Sequence, residues 1–262
     1  MTNHSTVRLW ISVSCIVLLF AGCTRTKPTR KPVSMGSLPP VILWAWERPE
    51  DLSFIDPEQF GVAFLAQTLL LNGEDVVFQP RRQPLKVLPA TKLIAVTRIE
   101  SGKTKETKAA LSEPQIQKLV SLVLRTQQLE NVAAIQIDFD ATRSERVFYR
   151  KLLEQLRAKL PAAVPLSMTA LASFCVGDRW LDDLPVDEVV PMIFQMGLDN
   201  EKIRRFLAAG NDFNEPLCRT SYGVALDEPV TVSFEEPRRI YVFNNKRWLA
   251  EDVWSLKEKI HQ

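Results

Sequence analysis

Histidine is the scarcest chemically active residue in this chain of 262 amino acids. His4 and His261, one near each terminus, are its two histidines. A Ser-His-Asp triad, a Cys-His nucleophile and a histidine-rich zinc site all need histidine within the fold. The sequence therefore excludes these sites, and it leaves carboxylates as the expected acids and bases of any active site.

Cysteine and glycine are also scarce. The four cysteines, at positions 15, 23, 175 and 218, lack the spacing of a zinc-binding motif. None of the nine glycines belongs to a G-x-G-x-x-G or Walker phosphate-binding loop. We therefore predict neither a bound cofactor nor a metal site.

The first forty residues predict a secretion signal followed by a tether. Residues 9–22 form an uncharged apolar run, which is too short to span a bilayer comfortably and is typical of a signal-peptide core. The run ends in Phe20-Ala21-Gly22-Cys23, which resembles the lipobox of bacterial lipoproteins, with Phe20 in place of the usual leucine. The resemblance implies removal of residues 1–22 and lipidation of Cys23, for example with palmitate. A plain signal peptide or an uncleaved anchor are the alternatives.

Residues 23–40 then form the lipidated cysteine and a flexible basic tether, rich in Pro, Ser and Thr. Since Thr24 rather than aspartate follows Cys23, the resemblance implies an outer-membrane protein of the cell envelope that faces the periplasm. Five of the 33 lysines and arginines lie in the first forty residues, which leaves 28 cations against 31 acids in residues 41–262. This balance gives no reason to expect a nucleic-acid partner.

Residues 41–262 predict a single domain built from strands and helices. Eight short apolar segments, several without alternation, are typical of strands buried on both faces; they are residues 41–46, 61–66, 92–99, 133–140, 165–170, 188–196, 220–226 and 238–244. Helical periodicity lies between some of them and after the last, in residues 113–129, 145–160 and 200–209 and in an amphipathic C-terminal segment.

This alternation predicts an α/β fold, namely a small, irregular (β/α)8 TIM-type barrel. The turn sequence Leu71-Asn72-Gly73-Glu74 predicts a β-hairpin in place of a helix after the second strand. An open α/β sheet with six parallel strands is the alternative.

The fourth predicted strand carries a row of polar residues. Side chains alternate along a strand, so Gln136, Asp138 and Asp140 share one face, and we predict that this face lines the barrel interior. Successive members of the row lie about 7 Å apart and climb towards the carboxyl rim, where barrel active sites lie. Two carboxylates at this distance perturb each other's pKa, and one with a raised pKa can donate a proton. An Asp-x-Asp row that binds Mg²⁺ or Ca²⁺ is a minor alternative.

This row resembles the Asp-x-Asp-x-Glu motif of glycoside hydrolase family 18, the chitinases. The resemblance implies that Asp140 is the general acid and that Asp138 orients a substrate acetamide. Gln136, at the first position of the motif, is a candidate substrate-binding residue. Asp140 replaces the family's glutamate. The segment Met192-Ile193-Phe194-Gln195 resembles the family's Met-x-Tyr-Asp, with Phe194 and Gln195 in place of Tyr and Asp.

Residues 41–248 also resemble a bacterial lipoprotein family of unknown function, domain of unknown function 3142. The segments that carry this resemblance are residues 43–54, 136–146, 165–181, 184–197 and 238–244. That family implies a fold and a location but brings no established activity.

Four further residues are candidate sugar contacts at the rim. Trp46 is expected at the rim as a stacking platform, with Trp44 deeper. Glu47 is either a second carboxylate of the site or an ion-pair partner of a cation. Gln195 lies near the end of the sixth predicted strand and Asn244 ends the eighth, where capping of a turn is the alternative for Asn244.

Cys175 and Cys218 are placed by the barrel topology at opposite ends of the molecule, so we expect two separate thiols. Two functions are compatible with these features. One is a lipid-anchored glycoside hydrolase with the catalytic carboxylates Asp138 and Asp140. The other is a non-catalytic barrel that binds a glycan or an envelope protein, in which the inward acids are structural.

Overall fold

The computed structural model describes residues 35–229 and 233–260. The predicted signal peptide, the lipidation site Cys23 and most of the predicted tether lie outside these residues. None of the described helices is long and apolar enough to cross a lipid bilayer.

Eleven strands are present in the described residues, and eight of them form a closed parallel barrel. In chain order the strands are β1 (Val41–Ala45), β2 (Glu50–Asp51), β3 (Phe60–Asn72), β4 (Asp75–Pro80), β5 (Leu85–Lys86), β6 (Leu93–Ser101), β7 (Val132–Asp138), β8 (Leu166–Leu171), β9 (Glu188–Met192), β10 (Ser221–Ala225) and β11 (Arg239–Phe243). The barrel order is β1, β3, β6, β7, β8, β9, β10, β11. All eight predicted strands are confirmed.

The barrel is closed by β1, which pairs in parallel with β11 on one side and with β3 on the other. Val41 therefore lies opposite both Ile240 and Phe60. This double pairing excludes the open six-stranded sheet and confirms the TIM-type barrel.

The predicted hairpin after the second barrel strand is also confirmed. β3 and β4 are antiparallel, with Asn72 opposite Asp75 and Gly73 in the turn at φ 56°. The pairing of β3 with β1 ends at Phe64, and from Gln67 onward β4 takes the place of β1 beside β3. The hairpin thus extends one wall of the barrel at its carboxyl rim.

Five α-helices accompany the strands in the part of the chain that the structure describes. They are α1 (Glu113–Thr126), α2 (Arg146–Lys159), α3 (Ala172–Gly177), α4 (Asn200–Ala208) and α5 (Ala250–Ile260). The sequence predicts four of them, because their apolar residues recur at helical spacing. In the structure these apolar residues lie buried against the barrel. The short α3 has too few residues to show that periodicity.

Two apolar layers hold the barrel together. The inner layer contains Ile42, Trp44 and Val96, which point into the barrel. The larger outer layer joins strand residues such as Leu43 and Ile137 to the buried faces of the helices. Burial of both strand faces explains why the strand sequences lack clean alternation.

The amino end of the barrel is closed by polar contacts around Arg239. Its guanidinium pairs with Glu188 at 2.6 Å and donates to the carbonyls of Met35 and Pro39. Glu188 and the side chain of Arg239 are almost fully buried. The first described turn of the chain is therefore tied to the start of β9 and β11, at the end of the barrel opposite the carboxyl rim.

The prediction of two separate thiols is wrong, because Cys175 and Cys218 form a disulfide with a Cα–Cα distance of 5.9 Å. The prediction placed each cysteine at the strand end nearest to it in sequence. Cys175 instead lies in α3, and Cys218 lies in the 3-10 turn Pro216–Arg219. Both elements pack on β9, and the backbone of Asn214 donates to the Cys175 carbonyl, so the two cysteines meet in the outer layer.

Candidate functional site

The polar row begins on β7 and points into the barrel, as the alternation of side chains predicts, and its last member, Asp140, lies two residues beyond the end of the strand. Ile135 and Ile137 belong to the outer layer, whereas Asp138 and Asp140 line a cleft of about 160 Å³. Gln136 is fully buried below the cleft. The two carboxylates therefore share one opening at the carboxyl end of the barrel.

Aromatic side chains form the opposite wall of this cleft. Phe194 and Phe243 stack with an interplanar angle of 7° and centroids 5.5 Å apart. The ring of Trp46 meets Phe243 edge-on at 6.2 Å, and Trp44 lies deeper against Phe194. Trp46 is half-buried and Trp44 is buried, which is the arrangement that the sequence predicts. Such a wall suits the apolar face of a sugar ring.

Asp138 has the clearest electrostatic signature of the site. Burial raises the pKa of its carboxyl group to about 6, and the nearby Asp140 adds to the rise. The Thr169 hydroxyl donates to Asp138 Oδ1 at 2.7 Å, which favours the ionised form and opposes the rise in pKa. A carboxyl group with this pKa can hold or release a proton near neutral pH.

Asp140 lies at the exposed rim of the same cleft. Its pKa is also raised, mainly by burial, while Arg98 and Lys103 act to lower it. A neighbouring depression of about 260 Å³ shares Arg98, Asp138 and Asp140 with the cleft. Both carboxylates line both depressions, and Asp140 is the more exposed of the two.

Arg98 is a member of the site that sequence reasoning missed. It lies opposite Asp138 in the pairing of β6 with β7, and its guanidinium is 5.7 Å from the centroid of the Trp46 ring. Its Nε pairs with Glu100 at 2.8 Å. The alternation along β6, in which Ile94 and Val96 point inward, is the signal that would have placed Arg98 at the rim.

Thr169 and Phe243 were missed in the same way. Each lies two residues along its strand from an inward residue, Ser167 on β8 and Tyr241 on β11. Applying the alternation of β7 to every barrel strand would have found both residues.

Gln136 and Gln195 differ in their relation to the cleft. Gln136 Oε1 accepts from Trp44 Nε1 at 3.0 Å, and its Nε2 donates to Ser167, so its amide is engaged beneath the cleft. Gln195 lines the cleft with an exposed side chain, at φ 49°. Its backbone N–H donates to Glu228.

Glu47 and Asn244 are not brought into the cleft. Glu47 is exposed and lines a separate cavity beside the hairpin. Asn244 is buried; it donates to Asp252 of α5 and accepts from the backbone of Lys246. Its position matches the turn-capping alternative.

The described residues contain no group of three or more His, Cys, Asp or Glu side chains placed to hold a metal ion. The chemistry that this arrangement can perform with its own side chains is proton transfer between the two carboxylates and a bound molecule.

Comparisons with known proteins bear on the fold. Residues 90–193, which include β6 to β9 and both carboxylates, match the family model described as Domain of unknown function (DUF3142). This confirms the resemblance to that family over part of the range that the sequence segments suggest. A search of curated proteins gives no match.

One similar solved structure is the Bacillus cereus spore cortex-lytic enzyme SleL, with 16% sequence identity and a TM-score of 0.44. The alignment covers 71% of this chain and 51% of that chain, so this protein spans about half the length of that enzyme.

Proposed function

We propose that this protein is a carbohydrate-active barrel of the glycoside hydrolase type, acting on a glycan of the cell envelope. One observation carries the proposal. Asp138 and Asp140 share a cleft at the carboxyl rim with an aromatic wall made of Trp46, Phe194 and Phe243. A carboxylate pair beside aromatic rings supplies both the proton transfer and the stacking that glycoside cleavage needs.

The two carboxylates have different roles in this proposal. Asp140 is exposed and reaches the glycosidic oxygen as the proton donor. Asp138 is held by the hydrogen bond from Thr169 and orients the sugar. Because the negative charge of Asp140 raises the pKa of Asp138, loss of the proton from Asp140 favours protonation of Asp138. Trp46 stacks on the sugar face, and Gln195 contacts its hydroxyl groups.

We also propose a lipid-anchored location in the envelope, at the periplasmic face of the outer membrane. The lipobox-like sequence ending at Cys23 motivates this proposal, and the Cys175–Cys218 disulfide suits an oxidising compartment.

The test uses the full chain, purified in mild detergent and incubated with host envelope glycans and a chitooligosaccharide series. New reducing ends are measured for the wild type, Asp140→Asn, Asp138→Asn and the control Asp199→Asn. Asp199 is an exposed carboxylate outside the cleft. We expect turnover by the wild type and by the control, and no turnover by either cleft variant. Equal turnover in all four proteins contradicts the proposed roles.

A non-catalytic glycan-binding barrel is the second candidate, and two side chains of the cleft favour it. Phe194 and Gln195 line the cleft where the resembling chitinase motif has a tyrosine and an aspartate, so a hydroxyl group and a carboxylate that help the cleavage are absent at these two positions. Saturable glycan binding without turnover, lost in Trp46→Ala, would establish this function and leave the acids as binding or structural groups.

A further inference from the structure

A second cavity lies beside the cleft, between the end of β1 and the hairpin strand β4. Its volume is about 470 Å³, which is within the range of sites that bind small ligands. Its lining combines amide and hydroxyl side chains, one aromatic ring and charges of both signs; these are Glu47, Gln67, Thr68, Phe78, Gln79, Arg81, Arg82 and Gln83, with Leu65 and Pro80.

Several polar groups of this cavity are unused within the described structure. Thr68 is only 6% exposed, and no hydrogen bond to a described residue engages its hydroxyl. The side chains of Gln79, Gln83, Glu47 and Arg82 likewise make no hydrogen bond or ion pair to described residues. Since Thr68 Oγ1 is not among the buried side-chain atoms that lack a partner, it opens to the cavity, where solvent or a ligand is its hydrogen-bond partner.

The hairpin also supplies a stacking surface and a polar floor. Phe78 is 46% exposed, which is unusual for a phenylalanine on a strand. Gln67 is buried and donates to Thr97 Oγ1 at 2.9 Å, so it is fixed in place. Neutral hydrogen-bonding groups next to an aromatic ring match the hydroxyl groups and the apolar face of a sugar.

Arg81 joins this cavity to the cleft. From the cavity wall, its guanidinium donates to the carbonyls of Ala45 and Arg48 at 3.2 and 2.7 Å, and also to that of Trp46. Trp46 lines the cleft, and the next residue, Glu47, lines the second cavity. The two sites therefore lie on either side of one short, braced segment, and a chain that crosses Trp46 reaches the second cavity directly.

The charges of the cavity favour an uncharged ligand. The lining carries one carboxylate, Glu47, and two guanidinium groups, those of Arg81 and Arg82. The buried Glu50 beside Arg81 supplies the second negative charge, so the four charges balance. We infer that the second cavity binds uncharged sugar units of the same glycan whose neighbouring unit occupies the cleft. This inference rests on the proposed function, and it assigns to the hairpin the recognition of a longer chain.

The experiment measures binding by titration calorimetry with chitooligosaccharides from the dimer to the hexamer. The full chain carries Asp140→Asn, so that the ligands are not cleaved. The test variants are Thr68→Val, which keeps the side-chain shape, and Phe78→Ala. The control is Phe54→Ala, because Phe54 is 41% exposed and lines neither site.

We expect the hexamer to bind more tightly than the dimer. Phe78→Ala should weaken binding of the hexamer about two- to tenfold and leave binding of the dimer unchanged, since it removes one stacking contact. Thr68→Val should have the same selectivity, and Phe54→Ala should have no effect.

Two results would overturn the second site. One is dimer binding with no further gain in affinity for the hexamer, and this result leaves the proposed function standing. The other is an increase in affinity with oligosaccharide length that is the same in both hairpin variants as in the parent protein. Absence of binding to every ligand of the series would count against the second site and the cleft together. If affinity increases from the dimer to the hexamer and this increase is lost in the hairpin variants, the second site is supported even if the wild type cleaves no glycan.

Discussion

Asp138 illustrates how a single carboxyl group is shaped by its surroundings. The barrel wall desolvates it, and the hydrogen bond from Thr169 recovers only part of the lost hydration. Its pKa of about 6 lies above the ordinary value of 3.8, so the folded chain binds more protons than the unfolded chain between about pH 4 and pH 6. The contribution of Asp138 to stability is therefore present at low pH and is lost as the pH rises through 6.

We predict that Asp138→Asn stabilises the protein at pH 8 by about 1–2 kcal/mol, because the neutral amide avoids the burial of a charge. At pH 4 the two proteins should be equally stable, since Asp138 is then protonated. Urea unfolding of both proteins at the two pH values measures the difference, in which the titration of all other groups largely cancels. A stability gain that is the same at pH 4 and pH 8 would contradict the raised pKa.

At the scale of single elements, the hairpin of β3 and β4 depends on Gly73. The residue adopts φ 56°, and a Cβ built there meets no atom within 4 Å. The cost of a side chain is therefore purely conformational. Gly73→Ala should lower the free energy of unfolding by about 1 kcal/mol.

Gly177 provides the matched control for this change. A Cβ there also meets open space, but its φ is not in the left-handed region. Gly177→Ala should cause no loss of stability in the same urea experiment. An equal loss in both variants would mean that the backbone angle at Gly73 is not what the substitution disturbs.

The disulfide also stabilises the packing of single elements. It links α3 to the turn before β10 across a separation of 43 residues. A bridge over such a loop restricts the unfolded chain, so Cys175→Ala/Cys218→Ala should lower the free energy of unfolding by about 2–4 kcal/mol. Chemical denaturation gives the value. Peptide mapping of the unreduced protein by mass spectrometry should recover the Cys175–Cys218 peptide pair, and free thiols at both positions would contradict the bridge.

At the scale of the whole molecule, the barrel has a sealed end and an open end. Arg239 and Glu188 seal the amino end, where burial raises the pKa of Glu188 and Arg239 opposes the rise. The carboxyl end has the cleft and the second cavity. The buried ion pair and the candidate site thus lie at opposite ends of the barrel, which is the usual arrangement in this fold.

We predict that Arg239→Met lowers the free energy of unfolding by about 3–5 kcal/mol, because it leaves the Glu188 carboxylate buried without a cation, with only the hydroxyl groups of Tyr241 and Ser167 as partners. The double variant Glu188→Met/Arg239→Met removes both charges and should recover most of the loss. Thermal unfolding of the three proteins at pH 8 checks this. A double variant as unstable as the single one would show that the loss comes from packing rather than from the unpaired charge.

The barrel and its inward acids were predictable from local patterns. Each strand is a short apolar run, and each helix except α3 has apolar residues at helical spacing. The alternation that turns Gln136, Asp138 and Asp140 inward needs only the strand itself. The same rule, applied to β6 and β8, would have found Arg98 and Thr169.

The sequence by itself determined the strand and helix order, and with it the class of fold and the inward row of acids, because these follow from periodicity over a few residues. Only the tertiary structure decided the disulfide, the raised pKa of Asp138 and the placement of Glu47 in the second cavity rather than in the cleft. Each of these depends on which distant segments meet when the barrel closes and its outer layer packs. That outcome is set by contacts between residues far apart in the chain, and a local pattern does not contain it.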